Sequence, residues 1–180
     1  MESLMRQRRL AILVVPLVLL GVAVAAAGAQ TPSPAKEPTV ACDRIVLRAR
    51  SGAEDGFRVL LGAVSMPGAG KLDHGSTRKR DGQWRYYRNA GLAIRAGASE
   101  VTISVPEGWR DRVAVSWGDS PASSSLRFAP CGASHAGAWN AYSGGFHLRT
   151  KGDCVPLVVT VGGMSTTVRI GVGRACGERG

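Results

Sequence analysis

The stretch AWNAYSGGFHLRTKGDCVPLVVTVGGMSTTVRIGVGRAC, residues 138–176, decides the fold. Its second half has two runs rich in β-branched residues, 155–161 and 166–172, separated by the pair Gly162-Gly163. β-branched side chains fit the pleated surface of a strand, and a Gly-Gly pair permits the positive φ angles of a tight hairpin turn. This part of the stretch therefore predicts an antiparallel hairpin.

The first half of the stretch is an aromatic–glycine cluster, in which Trp139, Tyr142 and Phe146 surround Gly144-Gly145. Aromatic side chains around glycines can line a shallow sugar-binding surface. They more often fill one end of a β-sandwich beneath a disulfide. We therefore expect the cluster to pack inside the fold rather than to bind a ligand.

The chain from residue 39 onward repeats the same pattern of short apolar runs with period two, separated by turn residues. Strands are predicted at 45–49, 57–64, both halves of 83–96, 100–105, 112–117, 126–129, 145–149, 155–161 and 166–172. About nine short strands at this spacing indicate an all-β fold, a single antiparallel β-sandwich, immunoglobulin-like or similar. An N-terminal hydrophobic helix is predicted to precede it.

Residues 1–29 carry the features of a signal peptide or N-terminal membrane anchor. Three arginines among the first nine residues precede the uncharged, apolar residues 10–29. The small residues at 27–29 predict cleavage between Ala29 and Gln30. As a helix the apolar segment spans about 30 Å, which is also enough for a retained anchor. Both alternatives place the rest of the chain outside the cytoplasm, secreted or anchored in the cell membrane.

The domain organisation follows from the composition. Residues 30–38 (QTPSPAKEP) contain three prolines and predict an extended linker. Residues 39–180 then form one exported, disulfide-bonded β-domain, a length typical of a single domain.

The chain is basic, with a formal net charge of +10, and the three arginines and one glutamate of residues 1–29 leave +8 for the exported part. An exported basic protein can be held by an anionic cell-wall polymer or by the membrane surface. A protein partner is a further possibility, as is a merely solvated Arg-rich surface. Nucleic acid is not an expected partner, because no nucleic-acid-binding motif is present.

Four cysteines, all after the apolar segment, predict two disulfides in an oxidising compartment. Three pairings are possible. We expect Cys131–Cys154, which would close the glycine-rich loop, and Cys42–Cys176, which would join the first strand to the last. The spacing of cysteines and histidines does not suggest a metal site.

The search for catalytic motifs is negative. The sequence has no GxSxG, no HExxH, no Walker A loop and no dinucleotide fingerprint. His74, His135 and His147 lack a recognisable partner in the sequence. No catalytic residue and no cofactor are therefore expected.

Residues 78–88 (RKRDGQWRYYR) form the most plausible ligand surface, because aromatic rings beside arginines suit sugars and anionic polymers. The candidate residues are Arg78, Lys79, Arg80, Trp84, Arg85, Tyr87 and Arg88. The alternative is an outer strand that directs Trp84, Tyr86 and Arg88 to one face and the residues between them to the other.

The last fifty residues also carry an ordered motif. It runs F-x-x-C (128–131), W-x-x-Y-x-G-G-F (139–146), C-V-P-L-x-V-x-V (154–161) and V-x-x-G-x-G-x-x-C (168–176). The motif resembles small exported or membrane-anchored proteins of actinobacteria. The resemblance implies an exported, disulfide-bonded β-domain at the cell surface and implies no activity.

Together these features predict a non-enzymatic surface module for binding or interaction. The alternative is a small enzyme acting on cell-wall carbohydrate, with two acidic side chains brought together by the fold.

Overall fold

The structure, a computed structural model, describes residues 37–49, 52, 56–72, 83–132 and 137–177. These ranges contain fourteen strands and two short 3-10 helices, Cys42–Arg44 and Glu107–Trp109. The strands are β1 (Thr39–Val40), β2 (Leu47–Ala49), β3 (Phe57–Leu60), β4 (Val64–Pro67), β5 (Lys71–Leu72), β6 (Tyr86–Asn89), β7 (Leu92–Arg95), β8 (Val101–Ser104), β9 (Val113–Trp117), β10 (Ser125–Phe128), β11 (Trp139–Tyr142), β12 (Gly144–Leu148), β13 (Asp153–Val161) and β14 (Met164–Val172).

The strands are arranged in three sheets. The largest has the order β1-β10-β8-β13-β14-β5, the second β2-β11-β7-β4-β3 and the third β6-β12-β9. Only β1 with β10 and β14 with β5 pair in parallel among the described strands. The predicted all-β, mainly antiparallel character is confirmed. The described part of the chain has more strands and one more sheet than the two-sheet, nine-strand arrangement that we expected.

One hydrophobic core joins the sheets. Its fully buried side chains include Ile103 and Leu157 of the first sheet, Leu92 of the second and Trp117 of the third. Alternate residues of β8 and β13 face this core, as the period-two pattern predicted. No helix within the described ranges is long and apolar enough to cross a membrane. The signal or anchor at residues 1–29 and its cleavage position, Ala29-Gln30, lie outside the described residues.

The hairpin predicted from the last stretch is present. β13 and β14 pair antiparallel, from Asp153 opposite Val172 to Val161 opposite Met164. Gly162 and Gly163 make the turn with φ angles of 53° and 89°. The side chain of every second residue in β13, from Val155 to Val161, is buried. Local sequence was sufficient here because the turn and both strands are contiguous.

The strand predicted at residues 57–64 is wrong, because the structure breaks it into a hairpin of β3 and β4. Leu61 and Gly62 make the turn with φ angles of 49° and 68°. A leucine rarely takes a positive φ, so the pair Leu61-Gly62 did not signal a turn within an apolar run.

Two disulfides are present, as predicted, but their pairing differs from our expectation. Cys42 is bonded to Cys131, and Cys154 to Cys176. The predicted Cys42–Cys176 bond requires the first and last strands to be neighbours. Instead β1 lies parallel to β10, so the residues that follow both strands, Cys42 and Cys131, leave the sheet at the same end.

The second pairing follows from the terminal hairpin. Cys154 in β13 lies opposite Gly171 of β14. The chain turns at Gly173, whose φ is 69°, and brings Cys176 back to Cys154. Cys154 is therefore bonded to a cysteine that lies just after the hairpin, and not to Cys131 before the glycine-rich loop.

The aromatic–glycine cluster packs inside the fold, as expected. Trp139, Tyr142 and Phe146 are 5%, 2% and 1% exposed. The Tyr142 hydroxyl donates to the Cys131 Sγ at 3.7 Å, directly beneath the Cys42–Cys131 disulfide. The cluster thus stabilises the end of the sheet to which this disulfide is attached.

Candidate functional site

Three polar or aromatic side chains share one face of the third sheet. In its central strand β12, His147 lies opposite Tyr87 of β6 and Ala114 of β9. Gly145, two residues earlier, lies opposite Ser116. Residues two positions apart in a strand point to the same side. Ser116 and His147 are therefore diagonal neighbours, on the same face as Tyr87.

Ser116 and His147 are in direct contact. The Ser116 Oγ lies 2.7 Å from the His147 Nε2, a short hydrogen bond between a hydroxyl and an imidazole. The Tyr87 ring packs against the imidazole with centroids 5.0 Å apart and planes tilted by 56°. The imidazole is 6% exposed. The sheet and the Tyr87 ring together hold it in place.

The contact forms one wall of a pocket of about 350 Å³. We call it the β12 pocket, and its described lining residues are Trp84, Tyr87, Ser116, Ser120, Pro121, Ala122 and His147. The lining combines aromatic rings with two hydroxyls and an imidazole. Such a surface suits a small polar ligand with a ring to stack.

A loop after β9 supplies the second wall of the pocket. Gly118 and Asp119 both have a φ of 59° and reverse the chain. Ser123 then pairs with Val115 through two backbone hydrogen bonds, of 2.9 and 3.0 Å. The residues between Asp119 and Ser123 therefore form a loop that folds back beside β9. The Ser120 Oγ accepts the Trp117 backbone N–H at 3.2 Å, which fixes this hydroxyl in the pocket wall.

A β-bulge explains why Trp84 joins the pocket. Tyr86 is the registered partner of Leu148, yet the Arg85 backbone N–H also donates to the Leu148 carbonyl at 3.0 Å. Two residues of one strand thus lie opposite one residue of the other, which shifts the alternation by one position. Trp84 consequently lines the same pocket as Tyr87, contrary to the simple alternation of the sequence.

Two arginines lie opposite each other at the end of the sheet beyond His147. Arg149 follows β12, and its backbone N–H donates to the Arg112 carbonyl at 3.1 Å. Arg149 is exposed, and the Arg112 guanidinium lies 3.8 Å from the centre of the Trp109 ring. We call Arg112 and Arg149 the basic edge.

The basic edge continues the face of the pocket. Arg149 is two residues after His147 and Arg112 is two residues before Ala114, so both face the pocket side. Like charges directly opposite each other on one face are destabilising. An anion bound there would relieve this repulsion.

The predicted ligand surface is therefore divided by the structure. Trp84 and Tyr87 line the pocket and Arg85 is exposed at the bulge, outside the pocket lining, whereas Arg78, Lys79 and Arg80 lie outside the described residues. The expectation for Arg88 is wrong, because this residue is only 8% exposed.

Arg88 is buried because the register places it opposite Phe146, on the core side of the sheet. Its Nη2 donates to the Lys151 carbonyl at 3.2 Å. The guanidinium fits beside Gly173, where an added Cβ would lie 3.1 Å from its nitrogens. Arg88 is thus part of the fold and not of a ligand surface.

Sequence reasoning missed both Ser116 and His147. Each lies between inward-facing apolar residues, Val115 and Trp117 in one strand and Phe146 and Leu148 in the other. That alternation predicts that both side chains face away from the core. The pairing of β9 with β12, which makes them neighbours, has no local signal.

Two acidic side chains share another pocket, of about 280 Å³, beside the loop after β9. Asp43 and Asp119 both form ion pairs with Arg44, at 3.6 and 3.3 Å. Their side chains are 73% and 76% exposed. The arrangement is a surface ion-pair network, which contributes little to stability.

An apolar pocket of about 250 Å³ lies on the second sheet, next to the exposed Val46 and Leu47 of the β2 segment. Its described lining consists of small, aliphatic and aromatic residues with one asparagine. It contains no imidazole or carboxylate among those residues. The chemistry of the described part of the chain is therefore concentrated in the β12 pocket.

Neither a protein-family model nor a curated protein matches this chain. Within the ranges that the structure describes, no three His, Cys, Asp or Glu side chains are grouped as metal ligands would be.

Proposed function

We propose that this chain is an exported or membrane-tethered β-sandwich protein, immunoglobulin-like or similar, whose domain binds an anionic cell-wall polymer. Two disulfides support an oxidising compartment, and the apolar residues 10–29 support export. The β12 pocket and the basic edge are the proposed binding surface.

The observation that carries the proposal is the placement of the basic edge beside the aromatic pocket. Arg112 and Arg149 lie opposite each other on neighbouring strands, whose backbones are about 4.8 Å apart, so both are placed to contact one anionic polymer. Trp84 and Tyr87 offer aromatic surfaces for a sugar ring. Charge and stacking then act on the same ligand within one face.

Charge reversal at the basic edge tests the proposal. We expect the double variant Arg112→Glu, Arg149→Glu to bind purified anionic wall polymer at least about tenfold more weakly, because each reversal replaces attraction by repulsion. The measurement is co-sedimentation of the full chain at about 50 and about 500 mM salt, since screening weakens exposed charge interactions. Anionic lipid vesicles serve as a second ligand.

The matched control is Arg169→Glu, Arg174→Glu, which changes the net charge equally at exposed sites on and just after β14. This control should retain most of the binding. Equal losses in both double variants, or binding that ignores salt, would show that the basic edge is not the site. Preferential binding to vesicles would identify the membrane surface as the partner.

The alternative function, a wall-acting enzyme with an acid pair, has Asp43 and Asp119 as its candidate carboxylates. Glycoside hydrolysis requires a proton-donating acid, which is usually held in an apolar environment, facing a carboxylate. Both aspartates are exposed and paired with Arg44. These ion pairs favour the binding function over glycoside hydrolysis.

A further inference from the structure

The β12 pocket contains the two groups that nucleophilic catalysis by serine requires. A serine hydroxyl is a weak nucleophile until a neighbouring base accepts its proton. The Ser116 Oγ and His147 Nε2 are 2.7 Å apart, within the range expected for such a pair. We infer that Ser116 is a nucleophile activated by His147, and that the pocket accepts short-chain acyl esters carried by a hydroxyl-rich ligand.

The pair is preorganised by the sheet. Ser116 lies inside β9 and His147 inside β12, and five consecutive registered pairs connect these strands. Gly145, opposite Ser116, has no side chain that would separate the imidazole from the hydroxyl. The Tyr87 ring packs against His147. Sites held by strands are more precise than sites held by loops.

The same pocket offers a donor for the charge that develops on an acyl oxygen. The Ser120 Oγ accepts the Trp117 N–H at 3.2 Å, so its own hydrogen can be donated into the pocket. Donors that are fixed before reaction stabilise an oxyanion most effectively. Ser120 is therefore assigned as the oxyanion donor.

The lining of the pocket indicates the class of substrate. Its described walls consist of aromatic rings, hydroxyls, a proline and an alanine, with no long aliphatic side chain. A volume of about 350 Å³ holds a small ligand such as one sugar ring with a short acyl group. A long acyl chain would lack apolar contacts in this part of the site.

The reaction is a transfer of the acyl group to serine. The Ser116 Oγ bonds to the acyl carbon while its proton passes to the His147 Nε2. The bond from that carbon to the alcohol oxygen breaks, and the same proton goes to the departing alcohol. Water then attacks the acyl-serine and gives one proton to His147. The bond between the acyl carbon and the Ser116 Oγ breaks, that proton passes from His147 to the Oγ, and the carboxylic acid leaves.

Covalent labelling of the full chain tests the inference. The protein is produced in a host that exports it with both disulfides formed, and is treated with a fluorophosphonate, whose phosphorus bonds to an activated serine as fluoride leaves. We expect one adduct, located at Ser116 by peptide mass mapping. Hydrolysis of p-nitrophenyl acetate should be faster than that of the corresponding octanoate ester.

Three variants assign the roles. Ser116→Ala should give no adduct, and His147→Gln should label about 100-fold more slowly because the base is lost. Ser120→Ala should still label but hydrolyse the acetate about 10- to 100-fold more slowly. Ser165→Ala is the matched control, because its Oγ lies 2.8 Å from a Thr160 hydroxyl rather than from an imidazole. This variant should behave as the wild type.

The absence of an adduct at Ser116 in wild-type protein with both disulfides intact would overturn the inference. So would equal labelling rates in the wild type and in a folded His147→Gln variant. His147→Asn provides a second substitution if the glutamine variant does not fold. The inference goes beyond the proposed binding function although it uses the same pocket. Loss of polymer binding and loss of labelling are separate readouts, so each idea can fail alone.

Discussion

Gly145 lies in close contact with the backbone of the neighbouring strand β6. A Cβ built at this position would lie 2.0 Å from the Arg88 carbonyl oxygen and 3.0 Å from the Ala90 nitrogen. β6 continues from there into β7 of the second sheet, and its backbone between Arg88 and Ala90 lies against Gly145. Glycine at 145 therefore permits both the corner between two sheets and the free space beside Ser116.

We predict that Gly145→Ala lowers the free energy of unfolding by at least about 2 kcal/mol, because backbone atoms must move to admit the methyl group. Urea unfolding followed by tryptophan fluorescence measures the change. Gly108→Ala is the control, since a Cβ there meets no atom within 4 Å. A loss in Gly145→Ala no larger than that of the control would mean that β6 does not cross so closely.

Because of Tyr142, the free energy of unfolding should depend on pH in the alkaline range. Burial raises the pKa of its phenol, and the positive charge of Arg48 lowers it by a smaller amount. Above the ordinary tyrosine pKa of about 10, the unfolded chain releases this proton before the folded protein does. The stabilisation is therefore complete below pH 10 and is lost as the pH rises toward the folded pKa.

The comparison of wild type with Tyr142→Phe isolates this effect. Urea midpoints measured between about pH 8 and 11 should fall more steeply in the wild type than in the phenylalanine variant. At pH 8 the variant should be only slightly less stable, because its lost hydrogen bond is a weak contact to sulfur. Parallel curves for the two proteins would exclude Tyr142 as the source.

At the scale of elements, the parallel pair β1–β10 is short, but it determines which cysteines come together. It extends the first sheet by one strand and brings Cys42 to Cys131, 89 positions apart. β13–β14, in contrast, is a local hairpin whose disulfide joins residues 22 positions apart. One disulfide closes most of the domain, while the other fastens the chain after its last described strand.

The two disulfides should therefore contribute unequally. The loop-entropy relation gives about 4.6 kcal/mol for the loop of Cys42–Cys131 and about 3.4 kcal/mol for that of Cys154–Cys176. We predict that replacing the first pair by alanines costs about 1 kcal/mol more than replacing the second. Chemical unfolding of the two double variants measures this difference.

Peptide mapping under non-reducing conditions is the necessary companion measurement. It should recover a Cys42–Cys131 peptide and a Cys154–Cys176 peptide from the wild type. A peptide linking Cys131 to Cys154 would contradict the strand order described above. Equal stability losses in the two double variants would instead contradict the loop-entropy explanation.

At the scale of the whole molecule, the third sheet connects the other two. β6 continues into β7 of the second sheet through residues 90–91, and β12 follows β11 of the second sheet after the single residue Ser143. The β12 pocket and the basic edge therefore rest on strands that belong to the main core. A ligand face supported in this way needs no rearrangement of the fold to bind a polymer.

Residues 84–88 show why the sequence predicted only part of the candidate site. It indicated Trp84 and Tyr87, because aromatics beside arginines are a local feature. It misassigned Arg88, whose burial depends on pairing with Phe146 and on the space beside Gly173. The bulge at Arg85, which turns Trp84 into the pocket, is equally a product of pairing with Leu148.

Sequence alone determined the all-β character and the terminal hairpin. These properties depend on alternation and turn chemistry within a few residues. Only the tertiary structure decided which cysteines bond, where Arg88 lies and that His147 contacts Ser116. Those outcomes depend on strand order and register between distant segments, and neither is encoded by residues that are adjacent in the chain. The local sequence of residues 138–176 thus specifies strands. The pairing of those strands with distant segments determines the disulfides and the contacts of the candidate site.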